Sequence, residues 1–480
     1  MAKKNVLKEA DRPRTHEGGL AKRISPEATL KRLINTCLLW EDTFYVDGEA
    51  IADLIRDTVA KCDPAEAAQI ISDARNVFWL RHAPLWGTVA MADASPAHRA
   101  YVEALLGGIG DIGPEEVKEG SKPGVIRRPD EIGEFLSLYW LKGKRPLSHA
   151  MKRGLAKALL QFDKYQLGKW KGSDKTAITL RDALRLLHPT PKTAEQGEWF
   201  KGLIDKDLES PDTWEVQLSS GSDKAETFTR LMAEGTLGGM AFLMNLRNMI
   251  QAGVTQKAIG EYADKVKFTR VLPYRFVRAE QYAPSVSDIL EKAMLGALAN
   301  DEKLPGKTIL LIDVSVSMRG PISTHPSARE IPLNRIEAAS ALAIHAREVS
   351  EEGQVWMFSD WAAPKQVPNR RGFALRDLLI KGISGGTHLF DAVDWLNTHE
   401  KYDRLIIFTD EQATGNQLQN RFIQGLRKTM PDPLKGSTGY VVNVAPYQFG
   451  VGYGAWINVS GFSTGVIRYI LENERVKVAE

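Results

Sequence analysis

The chain has 480 residues, with 63 Lys+Arg against 60 Asp+Glu and a net charge of only +3. That length suggests two to four domains and is ample for more than one buried core. A hydrophobic fraction of 43% and two cysteines exclude a disordered chain, a disulfide scaffold and a Cys-rich zinc protein. The absence of any apolar run near ~18 residues and of a signal-peptide-like start points to a soluble, cytoplasmic protein with no membrane partner.

In chain order, residues 1–20 are polar and read as a flexible arm. Ser25-Pro26-Glu27 predicts a helix start, with Ser as cap, Pro in the first turn and an acid beside it. Leu30, Leu33, Ile34, Cys37 and Leu38 then lie on one helical face. Asp130, Ser148 and Thr179 are each positioned to cap a helix that carries Ile132–Tyr139, Met151–Leu159 and Leu180–Leu187 respectively. Further helical patterns cover Glu226–Ala233 and Gly239–Ile250. Strand-like alternation is scarce before residue 305, so 21–304 reads as a mainly α stack of antiparallel helix pairs. Gly108-Ile109-Gly110-Asp111-Ile112-Gly113 fits a dinucleotide fingerprint, but it follows a helical segment where that motif needs a strand. Gly306-Lys307-Thr308 is excluded as a phosphate loop because its strand follows instead of preceding it.

The pattern changes at Pro305-Gly306. Strands are predicted at Thr308–Ile312, Gln354–Phe358, Leu405–Phe408 and Tyr440–Val444, and helices at Arg335–Glu352, Phe390–Thr398 and Val466–Asn473. This alternation predicts an α/β doubly wound, mostly parallel sheet over 305–480, with its ligand site beyond the strand C-termini. The first strand runs into Asp313-Val314-Ser315-Val316-Ser317. A later one runs into Thr409-Asp410, and Ser384-Gly385-Gly386-Thr387 forms a small loop before a helix. Asp313, Ser315, Ser317, Thr387 and Asp410 make an all-oxygen set suited to a hard divalent metal ion such as Mg²⁺.

This set resembles the metal-ion-dependent adhesion site (MIDAS) of von Willebrand factor A (vWA) domains. Val316 departs from the small residue common between the two serines. An empty, vestigial site is the alternative. A hydrolase is a further one, but Ser315 stands where an aspartyl phosphatase has its second carboxylate. Of His325, His345 and His388, none forms a recognisable triad pattern.

The net charge conceals an asymmetry. Residues 41–140 carry 9 Lys+Arg and 18 Asp+Glu, and residues 141–190 carry 12 and 3. The basic block, which includes Lys142, Lys144, Arg145, Lys152, Arg153, Lys169, Lys171, Lys175, Arg181 and Arg185, is either a polyanion footprint or a set of solvated helix faces.

Several blocks together resemble the TROVE module (telomerase, Ro and vault). They are Thr15-His16-Glu17-Gly18-Gly19, Leu39-Trp40-Glu41-Asp42, Leu80-Arg81-His82-Ala83-Pro84-Leu85 and Arg128-Pro129-Asp130-Glu131-Ile132. Gly154-Leu155-Ala156, Arg181-Asp182-Ala183-Leu184, Thr213-Trp214-Glu215 and Asn245-Leu246-Arg247-Asn248 continue the series. The chain is thus similar to bacterial or phage members of the Ro autoantigen family. The resemblance implies HEAT-like helical repeats bent into a monomeric ring that a vWA domain closes, without enzymatic activity. It implies a ribonucleoprotein that binds small structured noncoding RNAs of the Y RNA class and the 3′ ends of misfolded RNAs, in RNA quality control, with an exoribonuclease as partner.

In the family, basic residues before and within one helix, and the histidine ending it, contact RNA. The match carries most directly to Lys169, Lys171, Arg185 and His188, with Trp170 as the nearest stacking candidate. A metal-dependent protein-interaction scaffold is the alternative, in which the vWA-like domain captures an acidic partner residue.

Overall fold

Pro26 opens the helix Pro26–Thr36, whose Leu30, Leu33 and Ile34 are buried. The computed structural model describes residues 25–36, 48–110, 120–172, 176–219, 221–268, 271, 273–299, 301–322, 333–410, 429–445, 454–461 and 465–479. The arm at 1–20, Cys37, Leu38, the block 39–47, residues 111–113, Lys175 and His325 lie outside the described residues. Packing divides the chain into two compact units. One comprises Pro26–Leu39 with Glu49–Ser222, and the other includes Asp223–Glu480.

The first unit is helical. Ser148 caps His149–Leu159 by accepting from the Met151 N–H at 3.2 Å. Thr179 caps Leu180–Leu187 in a reciprocal box with Asp182, whose carboxylate the Thr179 hydroxyl and N–H hold below the usual carboxylate range. Asp130 behaves differently from its expected capping role. Pro129 occupies the cap of Asp130–Tyr139, and the Asp130 carboxylate accepts from Arg81 at 2.7 Å and Arg128 at 2.5 Å. Two guanidiniums compete there with the helix's own N–H groups and win, because charge-assisted bonds are the stronger.

Helices Val102–Gly107 and His149–Leu159 meet through glycine. A Cβ on Gly107 would lie 2.6 Å from the Gly154 carbonyl oxygen, so only glycine allows this approach. The G-x-G-x-x-G stretch begins as the end of that helix, and Ile109 then forms an antiparallel bridge with Lys122.

The second unit carries a six-stranded sheet: β1 (Leu304–Asp313), β2 (Ser350–Phe358), β3 (Lys365–Gln366), β4 (Arg404–Thr409), β5 (Thr438–Asn443) and β6 (Trp456–Ser460). Their order is β3-β2-β1-β4-β5-β6, parallel except for the antiparallel edge strand β3. Ile309, Leu311, Trp356, Phe358, Leu405 and Ile407 pack on one face with Leu389, Phe390, Val393 and Leu396 of the helix Leu389–His399. The intervening Leu310, Ile312, Ile406 and Phe408, equally buried, face the other side, where the helix Arg335–Val349 packs.

That helix ends at Val349, three residues short of its expected end. Ser350 already pairs with Leu304 as the first residue of β2, so sheet pairing overrides the helical pattern. The helix Gly372–Lys381 and strands β3 and β6 are not signalled by the residue pattern.

The pattern switch at 305 coincides with the start of β1, yet packing continues across it. Arg376 Nη1 donates to Glu280 Oε2 at 2.9 Å, the Phe373 N–H donates to Glu291 at 2.6 Å, and Gln281 bonds Glu337. The helices of 224–298 therefore share a compact unit with the sheet.

Candidate functional site

The sheet order reverses direction at β1, with β2 on one side and β4 on the other, so the crevice beyond the C-termini of β1 and β4 is the topological switch point. Asp313 ends β1 and Asp410 follows β4, and both are fully buried. Asp313 Oδ1 accepts from the Ser315 N–H at 2.9 Å and Oδ2 accepts from Thr409 Oγ1 at 2.6 Å. Ser315 Oγ lies 3.0 Å from Ser317 Oγ. The Thr387 loop is fastened to the same end of the sheet: the Val316 N–H donates to the Gly385 carbonyl at 3.1 Å and the Ser384 N–H to that of Val314 at 2.9 Å. Ser359, after β2, donates to the Ser384 and Gly386 carbonyls. Gly385 has φ +55 and packs on the Asp360 carboxyl, leaving no room for a side chain. All five predicted ligand positions thus sit on this crest or on the loop tied to it. Above them Val316 is 53% exposed.

The donors fit a hard cation. They are carboxylate and hydroxyl oxygens, with Ser315 and Ser317 turned towards each other beside Asp313. Burial, with Asp410 as a second cause, pushes the Asp313 carboxyl up to about 7. Asp313, Ser315, Ser317, Thr387 and Asp410 are the residues that would hold the ion, and the ion would supply an electrophilic position for an incoming acidic oxygen. Among the described residues no group of three or more His, Cys, Asp or Glu side chains has metal-site geometry, so any cation here depends on the hydroxyls.

The basic stretch lies in the helical unit, and the structure separates its cations into two sets. Lys142 pairs with Asp53 at 3.9 Å, Arg145 with Asp93 at 2.6 Å, Arg153 with Glu103 at 2.6 Å and Lys169 with Glu215 at 3.5 Å. Lys171 Nζ donates to the Leu208 carbonyl at 2.6 Å. The acidic 41–140 region therefore neutralises part of the basic one. Lys152 and Arg185 are exposed, Arg181 is half-buried, and none of these three pairs with a carboxylate within salt-bridge distance among the described residues.

His188 closes the helix Leu180–Leu187 in the left-handed conformation, φ 45, and its ring is exposed. Few non-glycine residues adopt that backbone, and its presence here marks a position held by its surroundings. Trp170 is half-buried, with the Arg128 guanidinium 3.9 Å from its ring centroid. That ring face is already covered. Tyr139 and Trp140 are likewise half-buried, with Arg145 stacked 3.8 Å over Tyr139 and Lys144 5.4 Å over Trp140.

Residues 202–370 match the family model of the TROVE domain. That match covers about a third of the chain and makes this segment similar to a TROVE domain. The chain is also similar in fold to the crystal structure of Deinococcus radiodurans RO (RSR) protein, with a TM-score of 0.58 and 19% sequence identity over 92% of this chain and 98% of that one. The likeness in fold spans both the helical repeats and the vWA-like α/β layer. The family match includes Asp313, Ser315 and Ser317 but stops before Thr387 and begins after the cationic helices.

Two of the blocks that carried the resemblance meet in space. Arg81 bonds Asp130 and Glu134 and lies 3.5 Å from Glu131, while Arg75 holds Glu131 with both carboxylate oxygens. These motif residues serve the scaffold. Four participants in the sites escaped the residue pattern: Thr409, which donates to Asp313; Tyr139 and Trp140, each under a cation; and Arg335, whose Nη1 reaches Asp410. An arginine in the first turn of a predicted helix, where cations are disfavoured, was the available signal for the last.

Proposed function

We propose that this chain is a noncoding-RNA-binding protein of the cytoplasm that works by capture and not by catalysis. Its ligands are small structured RNAs of the Y class and the single-stranded 3′ ends of misfolded RNAs. Its role is in RNA quality control or processing, with an exoribonuclease as the acting partner. The observation that carries this reading is the set of exposed cations, Lys152 on one helix and Arg185 on another with His188 ending that second helix, in a chain whose residues 202–370 match the TROVE model. Lysine and arginine neutralise phosphates and release counterions, while the exposed His188 imidazole suits unpaired bases.

A filter-binding series with a hairpin RNA bearing a 3′ single-stranded tail tests it. Affinity should fall steeply as salt is raised from 50 to 200 mM, with a log–log slope of about −3 for three to four neutralised phosphates. Binding that is insensitive to salt would contradict the proposed surface.

A second reading rests on the crest. With Val316 exposed above buried oxygens, a divalent cation held there would accept an acidic side chain of a protein partner. Partner binding would then require Mg²⁺ and would be lost in Asp313→Ala. The two readings use different compact units of the chain and can both operate.

A further inference from the structure

Arg335 is the first residue of the helix Arg335–Val349, just after its cap Asn334. A guanidinium at that position opposes the helix dipole, and at 1% exposure it has also lost its water. Such a residue persists only where a specific anion compensates it. Nη1 donates to Asp410 Oδ2 at 3.0 Å and to the Ser317 carbonyl at 3.1 Å. Its backbone N–H donates to the Gly320 carbonyl at 3.0 Å. A Cβ at Gly320 would lie 3.1 Å from Arg335 Cζ, so the turn makes room for the guanidinium by carrying glycine there.

One side chain therefore joins the turn that carries Ser315 and Ser317, the end of β4 and the start of a helix. In a site of hydroxyl and carboxylate ligands these are pieces that a divalent ion would otherwise hold together by ligation. We propose that Arg335 is a built-in counter-ion of the crest. It keeps the serine turn joined to Asp410 without any metal, and by like-charge repulsion it weakens the site's hold on a divalent cation. The inference rests on the reading of the crest as a cation site.

Mn²⁺ is the probe, titrated into the full chain after EDTA treatment, with bound ion followed by electron paramagnetic resonance and stability by thermal unfolding. The wild-type chain should unfold at the same temperature in EDTA as in excess Mg²⁺. Arg335→Met should bind Mn²⁺ about ten-fold more tightly than wild type, since a positive charge a few ångströms from the ion has gone. It should also unfold at a lower temperature in EDTA and recover with Mn²⁺. Arg335→Lys, which keeps the charge, should stay within about two-fold of wild-type affinity by the same argument.

A wild-type chain that loses stability in EDTA, or an Arg335→Met variant that binds Mn²⁺ no more tightly, overturns the inference. If Arg335→Met does not fold, the wild-type EDTA comparison and Arg335→Lys decide it. Loss of binding in Asp313→Ala with no gain in Arg335→Met sinks the counter-ion role alone. Unchanged Mn²⁺ binding in Asp313→Ala removes the crest as a cation site, and the inference with it.

Discussion

Glu131 receives Arg75 Nη2 on both carboxylate oxygens, at 2.6 and 2.8 Å, with the Glu131 side chain wholly buried. Oε2 of the same carboxylate accepts from the backbone N–H of Arg127 at 2.8 Å and of Arg128 at 3.0 Å. It thereby fixes the chain's entry into the helix Asp130–Tyr139 as well as the pair itself. Burial pulls the Arg75 guanidinium down from its ordinary value and Glu131 opposes that pull. Glu131→Ala would leave a buried cation unpaired and two N–H groups without an acceptor. The expected loss is about 3–5 kcal/mol of stability, read by denaturant unfolding, since breaking a buried pair costs far more than never having built it.

The division of the basic stretch into paired and unpaired cations predicts unequal effects on RNA. Lys152→Glu together with Arg185→Glu should weaken binding to a tailed hairpin by at least about ten-fold. The salt slope should fall by about 2, one for each phosphate that the pair no longer neutralises. Lys142→Glu should change affinity by less than about three-fold, because Lys142 already faces Asp53 in an exposed pair. Equal effects from the double variant and from Lys142→Glu in filter binding would mean that the pairing with Asp53 does not withhold Lys142 from RNA.

Asp313 predicts a pH dependence of stability. Its folded-state value lies near 7, above the ordinary 3.8, so between those values the folded chain holds a proton that the unfolded chain has released. Stability should therefore fall as pH rises through this window and be lowest above about 7. Thermal unfolding in EDTA at pH 5.5 and pH 8 should show this as a drop on the order of 3 °C in the wild type, a drop largely absent in Asp313→Asn.

Cys62 is 5% exposed, and its thiol donates to the Thr58 carbonyl at 3.2 Å. Burial, followed by the nearby Glu27, Glu66 and Asp63 carboxylates, pushes it up to about 12. The thiolate is the reactive form, so Cys62 should resist iodoacetamide at pH 8 in the native chain and react only after unfolding. Peptide mapping by mass spectrometry reads this directly, and labelling of Cys62 in the native state would contradict the burial described.

Much of the local structure is legible in the sequence because its causes are local. Ser148 and Thr179 cap helices whose N–H groups lie three residues away, within reach of any reading of the chain. The strand that ends at Asp313 is legible for a similar reason, because Thr308–Ile312 is a continuous apolar run that stops at a carboxylate. Asp130 departs from its local pattern because the groups that claim it include Arg81, 49 residues earlier.

Distance in sequence also hides Arg335, whose partner Asp410 is 75 residues away. The same cause limits the charge map. Counts of Lys+Arg and Asp+Glu reveal an acidic and a basic block, but not that Asp53, Asp93 and Glu103 of the first meet Lys142, Arg145 and Arg153 of the second. The exposed cations that remain, Lys152 and Arg185 among them, emerge only when those pairs are set aside.

The central claim is that this chain captures structured RNA. Native purification of the full chain in low salt, followed by sequencing of the RNA that co-elutes, tests it most directly. A small set of structured RNAs should be strongly enriched, and the enrichment should be lost when Lys152→Glu and Arg185→Glu are combined. Recovery of only the abundant background RNA, in equal amount from wild type and double variant, would contradict it.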